Sequence, residues 1–253
     1  MQTSISDYDK YKNICLEASN NDTVFNTFKS HPEYVGILEH VSYESGLEYL
    51  NHITTKNNIP LDQKIIDILK SIDQYGNPTR HNYKIVGNIS PTMLRYLSVA
   101  GDIQRLYGNL NNKTIVEIGA GYGGQSMLIT SVYEVKQYII VDLPEVIALI
   151  QKFLQKNNVN LSKYKFYTLD NLPAIQSDLL ISNYAFSECY KSIQDIYIEK
   201  LVNNSKNFYM VVNFISDDLV YNKEELLQKL KGNIQVFPET PSTTATNLLF
   251  YKG

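Results

Sequence analysis

A run of ten residues, Val116-Glu117-Ile118-Gly119-Ala120-Gly121-Tyr122-Gly123-Gly124-Gln125, constrains the fold more than any other stretch. Upstream of it, Lys113-Thr114-Ile115-Val116 is a short β-rich run. Downstream, Ser126-Met127-Leu128-Ile129-Thr130-Ser131-Val132 reads as the first turns of a helix. A strand, a glycine turn and a helix in that order open a nucleotide-type α/β fold. Such a turn requires glycine because the backbone bends tightly and approaches a ligand where a Cβ would collide.

Two cofactor classes use a loop of this kind. Gly119, Gly121 and Gly124 satisfy G-x-G-x-x-G, and Asp142 lies roughly 20 residues on, where a dinucleotide fold places its ribose-binding acid. Glu117, two residues before the first glycine, discriminates between them. A carboxylate beside the helix N-terminus is unfavourable for a pyrophosphate. S-adenosylmethionine has no phosphate and carries an ammonium and a sulfonium, so an acid is favourable there. The loop therefore favours S-adenosylmethionine, with a solvated strand-end carboxylate as the plainer alternative for Glu117.

The 253 residues are enough for one α/β domain and a sizeable extension. A net charge of −3 argues against a large nucleic-acid footprint, which needs a basic face. Cys15 and Cys189 are far apart and lack metal-ligand spacing, so two reduced thiols are expected. Met1 to Asp7 lacks the basic start and apolar run of a secretory signal. No apolar stretch approaches the ~20 residues needed to span a bilayer. These features predict a cytoplasmic protein with neither a nucleic-acid nor a membrane partner.

Residues 1–105 are expected to form a helical extension, serving as a cover, a substrate loop or a homodimer surface; residues 106–253 form the cofactor domain. In the extension, Leu38, Val41, Leu47, Leu50 and Ile53 are broadly helix-spaced, as are Ile65, Ile66, Ile68, Leu69 and Ile72, with Pro60 placed to start the second helix. Tyr75 to Lys84 is rich in Gly, Asn and Pro and reads as a loop. Ser90-Pro91 caps and starts a further helix. The three arginines, Arg80, Arg95 and Arg105, all fall before the glycine loop. A guanidinium fork suits a carboxylate or phosphate, so Arg80 and Arg95 are candidates for an anionic group on the substrate, against simple surface ion pairing. For Arg105 the ion pair is preferred.

From Thr114 strands and helices alternate. Strands are expected at 137–141, 165–169, 178–182 and 208–214, helices at 145–156 and 222–230, and a closing antiparallel pair at 234–237 and 248–251. The expected fold is α/β: a class I methyltransferase, Rossmann-like, seven-stranded sheet with a helical N-terminal extension. The strand ends carry Glu117, Asp142, Asp170, Asn183 and Asn213, where an open α/β sheet binds its ligand. Asp142 can bind both ribose hydroxyls, or cap the helix that Pro144 starts. Asp170 and Asn171 can recognise an adenine edge.

Four blocks carry a more specific resemblance: Ser90 to Leu97, Val116 to Gln125, Val141-Asp142-Leu143-Pro144-Glu145, and Ile181 to Glu188 followed by Gln194-Asp195-Ile196-Tyr197. Together they resemble the bacterial-type sugar O-methyltransferase family over roughly residues 76 to 215. The resemblance implies S-adenosylmethionine as methyl donor and a sugar hydroxyl as acceptor; the clustered arginines point to a nucleotide-activated deoxysugar of glycan synthesis, with a finished glycan as the alternative. Ala120 stands where the family pattern often has glycine.

The expected cofactor contacts are Glu117, Gly119, Ala120, Gly121, Tyr122, Gln125, Asp142, Leu143, Asp170, Asn171 and Asn183. Arg80, Arg95 and Tyr184 are expected at the acceptor. A sugar hydroxyl needs a base, for which Glu188 and His81 are the candidates; their plainer readings are a helix N-terminal carboxylate and an exposed loop histidine. His31, His40 and His52 read as structural or surface residues on helical stretches. No tight ligand cluster calls for a metal, although Asp142, Glu188, Asp217 and Asp218 can converge in space. Two rivals remain: an NAD-dependent oxidoreductase, which is expected to continue into a substrate domain, and a non-catalytic scaffold that keeps the fold.

Overall fold

The computed structural model describes residues 9–56, 59–214, 219–242, 244 and 246–253. The first third is helical: α1 (Asp9–Asn20), α2 (Asp22–Phe25), α3 (Pro32–Val35), α4 (Tyr43–Lys56) and α5 (Gln63–Asp73). Along α5, Ile65, Ile66, Leu69 and Ile72 are buried on one face, as the spacing predicts. Its start is set by Asp62 rather than Pro60. The Asp62 carboxylate accepts the Ile65 amide at 2.9 Å and satisfies a donor that the helix cannot pair. Helix α4 begins only at Tyr43, so Leu38 and Val41 lie ahead of it, and Leu47 faces solvent.

The polar stretch expected to be a loop contains a short antiparallel hairpin, β1 (His81–Tyr83) and β2 (Gly87–Ile89). Strands of three residues are too short to print a period on the sequence. Pro91 then opens α6 (Pro91–Tyr107). Ser90 stands at its N-cap, but its side chain does not cap the helix. Its hydroxyl donates to Asp73 Oδ1 at 2.7 Å and its amide to Asp73 Oδ2 at 3.0 Å.

The second part runs β3 (Thr114–Ile118), α7 (Gly124–Val132), β4 (Gln137–Val141), α8 (Pro144–Lys156), β5 (Tyr164–Tyr167), β6 (Ser177–Asn183), α9 (Ala185–Glu188), α10 (Lys191–Lys200), β7 (Ser205–Val212), α11 (Lys223–Lys229), β8 (Ile234–Pro238) and β9 (Leu248–Lys252). The strands form one sheet in the order β5-β4-β3-β6-β7-β9-β8. The five strands β3 to β7 are parallel, and β9 runs antiparallel to both β7 and β8. This is the seven-stranded, Rossmann-like sheet of the class I methyltransferase fold.

The parallel strands are apolar at successive positions because both faces are covered. Alternate residues divide between two cores, as a period of two requires. Ile115, Tyr138, Ile140, Leu179, Ile181, Tyr209 and Val211 face the core shared with the N-terminal helices, α6, α7 and α8. Val116, Ile118, Ile139, Val141, Leu180, Phe208, Met210 and Val212 face the core completed by α10 and α11. The helical extension therefore shares its core with the sheet. The chain order reverses between β3 and β6, which opens a crevice at their carboxyl ends.

Polar contacts fasten the extension to the sheet domain. Lys152 on α8 donates to the Ala18 carbonyl at 2.9 Å and pairs with Asp22 at 2.8 Å. His52 on α4 and Asp102 on α6 meet at 3.1 Å, both buried, and Arg105 donates to the same Asp102 oxygen at 2.9 Å. Arg105 is thus the ion-pair residue expected of it. Cys15 and Cys189 are buried and unbridged. Among the described residues, no helix is long and apolar enough to cross a membrane.

Replacing Asp102 with Ala leaves His52 and Arg105 without their shared acceptor. Urea denaturation should show a loss of about 3 kcal/mol, the usual cost of breaking a buried pair from one side. A loss below about 1 kcal/mol would mean that the pair does not brace α4 against α6.

Candidate active site

The crevice is a cavity of about 770 Å³. That lies in the upper part of the ~300–1,000 Å³ range of small-molecule sites. Its floor is the glycine turn, where Gly119 and Gly121 take φ values of 74° and 58°. A Cβ on Gly119 would lie 2.0 Å from the Ala185 methyl, and one on Gly121 would lie 2.8 Å from Leu38 Cδ1. The loop therefore runs tight beneath α9 on one side and beneath the segment after α3 on the other.

Two carboxyls border this floor, one buried and one half-buried. Glu117, inside β3 and 2% exposed, accepts the Tyr138 hydroxyl on Oε2 at 2.8 Å. Burial pushes its pKa up to about 7; the Tyr138 bond opposes that rise and the Asp142 charge adds to it. Asp142, just beyond β4, accepts the Ala120 amide on Oδ2 at 2.9 Å and its neighbour Leu143's amide on Oδ1 at 2.8 Å. Burial raises it also to about 7, against those amide bonds and one from Gly121. It does not cap α8, whose N-cap is Leu143. Each Asp142 oxygen keeps a lone pair for a ligand hydroxyl.

Asn183, the last residue of β6, and Tyr184 just beyond it form another part of the wall. Asn183 Oδ1 is buried on this wall with no hydrogen-bond partner. Tyr184 adopts φ 69°, a conformation that costs a non-glycine residue on the order of 1–3 kcal/mol and recurs at ligand sites. Its hydroxyl donates to the Glu239 carboxylate. Glu188 at the end of α9 accepts from Asn213 Nδ2 at 2.8 Å, and both residues line the cavity. Arg95 on α6 is 6% exposed, and its guanidinium reaches the Leu38 carbonyl only at 3.5 Å. Among the described lining residues it is the sole arginine or lysine, and the nearby Glu39 charge favours its charged form.

Of the residues expected at the cofactor, the cavity brings together Glu117, Gly119, Ala120, Gly121, Asp142, Leu143, Asp170 and Asn183. Three others are turned to structural use. Tyr122 is fully buried, with the equally buried Lys29 ammonium 3.8 Å from its ring centre and Phe153 packed edge-on at 4.9 Å. Gln125 donates to the Tyr96 carbonyl at 3.2 Å and ties α7 to α6. Asn171 accepts the Thr168 amide at 2.8 Å in a local cap, leaving Asp170 to face the cavity.

The acceptor-side expectations divide likewise. Arg95, Tyr184 and Glu188 line the cavity; Arg80 and His81 do not. Arg80 donates from Nε to the buried Asp73 carboxylate at 2.9 Å, so its charge holds α5 against the start of α6. His81 sits in β1 against the Tyr43 ring at 5.3 Å. Asp217 and Asp218 lie outside the described residues, and no group of three or more metal-ligating side chains forms among the described ones.

His40 was not expected at the site. It lies in the turn between α3 and α4 rather than on a helix, and its exposed ring borders the cavity. Burial and the Arg95 charge lower its pKa from 6.5, while the Val35 backbone and the Glu188 charge oppose that. Tyr11, Ile37 and Leu38 complete the wall from the extension.

No protein-family model matches the sequence, and no curated protein matches it. Solved structures are similar at low identity. A SAM-dependent methyltransferase from Aquifex aeolicus is 14% identical with a TM-score of 0.44, over 59% of this chain and 86% of that one. The methyltransferase domain of bacterial CtHen1 is 11% identical with a TM-score of 0.46, over 63% of this chain and 97% of that one. A candidate RNA methyltransferase from Pyrococcus horikoshii is 13% identical with a TM-score of 0.45, over 83% of this chain and 95% of that one.

Replacing Arg80 with Ala should cost about 2 kcal/mol by freeing part of a buried carboxylate. Because Arg80 is away from the cavity, the rise in melting temperature on adding S-adenosylhomocysteine should be unchanged. A variant of normal stability that has lost that rise would return Arg80 to the site.

Proposed function

We propose that the protein is an S-adenosylmethionine-dependent O-methyltransferase whose acceptor is a sugar hydroxyl. The observation that carries this reading is the charge arrangement around the glycine turn. Two acids, the buried Glu117 and the half-buried Asp142, and one buried guanidinium, Arg95, border a single cavity. That set complements an amino-acid ammonium and carboxylate joined to a ribose. It is a poor match for NAD, whose two phosphates would meet the acids with only Arg95 to balance them.

The residues fit the cofactor in three respects. The turn lines the cavity with glycine backbone, held close under Ala185 and Leu38 where a Cβ at Gly119 or Gly121 would collide. The unpartnered Asn183 oxygen gives a polar ligand group an acceptor. Glu117 and Asp142 give acceptors for an ammonium and for ribose hydroxyls, and Asp170 borders the same cavity for the adenine edge. The cofactor, when bound, supplies a methyl group made electrophilic by its sulfonium.

The protein's own part is to position the acceptor, exclude water and move a proton. Tyr184, Glu188 and Asn213 offer hydroxyl, carboxylate and amide groups to sugar hydroxyls. Tyr11, Ile37 and Leu38 cover the loop from the extension and dry the site. Support for a sugar comes from these polar groups and from the family resemblance. A nucleotide-activated sugar gains no cation of its own among the described lining residues, since Arg95 serves the cofactor carboxylate in this reading and Arg80 is committed to Asp73. A plain glycoside needs no such cation.

Incubation with methyl-labelled S-adenosylmethionine and a panel of glycosides and nucleotide sugars tests the acceptor. Labelled methyl ethers are expected, and transfer only to a non-sugar acceptor would overturn the sugar assignment.

The cofactor pocket has its own pH signature. A bound ammonium favours the ionised form of acids that titrate at about 7 in the free protein. Affinity for S-adenosylhomocysteine should therefore be full above about pH 8. It should weaken below 7, approaching tenfold per pH unit for each proton that must leave. Glu117→Gln should bind about 10- to 100-fold more weakly at pH 8, with a shallower slope. Binding that tightens as the pH falls would contradict the charge assignment.

A further inference from the structure

We propose that His40 is the base that takes the acceptor's proton, with Glu188 across the cavity stabilising the imidazolium that forms. This rests on the methyltransferase reading above and names a group which that reading left open. Both side chains line the cavity that holds the glycine turn, and Arg95 lines it with them. They come from three separate elements: His40 from the turn after α3, Arg95 from α6 and Glu188 from the end of α9.

Each neighbour of His40 has a distinct effect. The Val35 backbone favours the charged form of the ring. Arg95 disfavours a resting imidazolium, so the ring is neutral and ready to accept a proton near pH 7. Glu188 favours the charged ring, so its carboxylate supports the product of proton transfer. Glu188 Oε1 is also held by Asn213, which suits an orienting carboxylate. As residue types, an imidazole has a reference pKa of about 6.5 and a glutamate about 4.3, so the imidazole is the stronger base near neutral pH.

The chemical step balances as follows. The acceptor oxygen forms a bond to the methyl carbon while the carbon–sulfur bond breaks, its electron pair remaining on sulfur. The hydroxyl proton passes to the free nitrogen of His40, and then to solvent at the exposed ring. The products are the methyl ether and S-adenosylhomocysteine, with no oxidant or metal required.

The test begins without an acceptor. The protein has four histidines, His31, His40, His52 and His81; the ring signal of His40 is assigned by NMR through its loss in His40→Asn. In the free protein it should titrate below 6.5. Saturation with S-adenosylhomocysteine should raise its midpoint, because the ligand carboxylate neutralises Arg95. A ring signal and midpoint untouched by the saturating ligand would place His40 away from the transferred methyl and overturn the proposal. Failure of the wild-type protein to bind S-adenosylhomocysteine at all would instead overturn the cofactor reading, so the two failures are distinct.

Turnover supplies the second readout, with methyl glycosides as acceptors and the cofactor saturating. His40→Asn should lower kcat by about 10²- to 10⁴-fold while changing S-adenosylhomocysteine affinity less than about threefold. The wild-type kcat should fall as the pH drops through the His40 midpoint, and that limb should vanish in the variant. A variant within about threefold of wild-type kcat, with the same acid limb, would overturn the assignment.

Discussion

The bond from the Ala120 amide to the Asp142 carboxylate, 2.9 Å long, is the contact on which the site depends. It joins the turn after β3 to the end of β4 and fixes the glycine backbone below the cavity. Asp142 can do this only at a cost, because the same burial that holds it pushes its carboxyl up to about 7. Glu117, one strand over, is raised in the same way and adds to the strain. Two acids raised in this way beside one cavity are held more easily when a positive charge lies between them.

The helical extension is part of this site. Leu38 packs so close over Gly121 that a methyl group on that glycine would collide with it. The same turn carries His40, and its Leu38 carbonyl accepts from Arg95 at 3.5 Å. Behind it, the buried Lys29 ammonium rests on the ring of Tyr122, itself a residue of the glycine loop. The loop is thus pressed between a sheet that supplies acids and an extension that supplies an imidazole and an aromatic–cation contact. Neither half alone closes the cavity.

The sheet was legible from the chain because parallel strands covered on both faces print as apolar runs, and Gln137–Val141 is found at the expected positions. The glycine turn and the acids at Glu117 and Asp142 were legible for a related reason: local geometry dictates those residue types. Contacts across long separations left no such mark. Arg80 resembles a ligand-binding arginine until Asp73 is seen 2.9 Å away. Tyr122 and Gln125 sit within the loop motif, yet their side chains point into helix packing rather than the crevice. His40 carries no local signal, since its proposed role follows from a turn that brings it to the cavity that Arg95 and Glu188 line from two other elements. The Asn171 cap was detectable in principle, as Thr168 and Asn171 have capping-box spacing.

The central claim is that the cavity is built for a sulfonium nucleoside and against a dinucleotide. Calorimetric titration at pH 8 with S-adenosylhomocysteine and, separately, with NADH tests it most directly. A Kd on the order of micromolar or tighter for the former, with no heat from NADH, is predicted. Saturable NADH binding with none for S-adenosylhomocysteine would contradict it, because the two acids would then be accommodating phosphates.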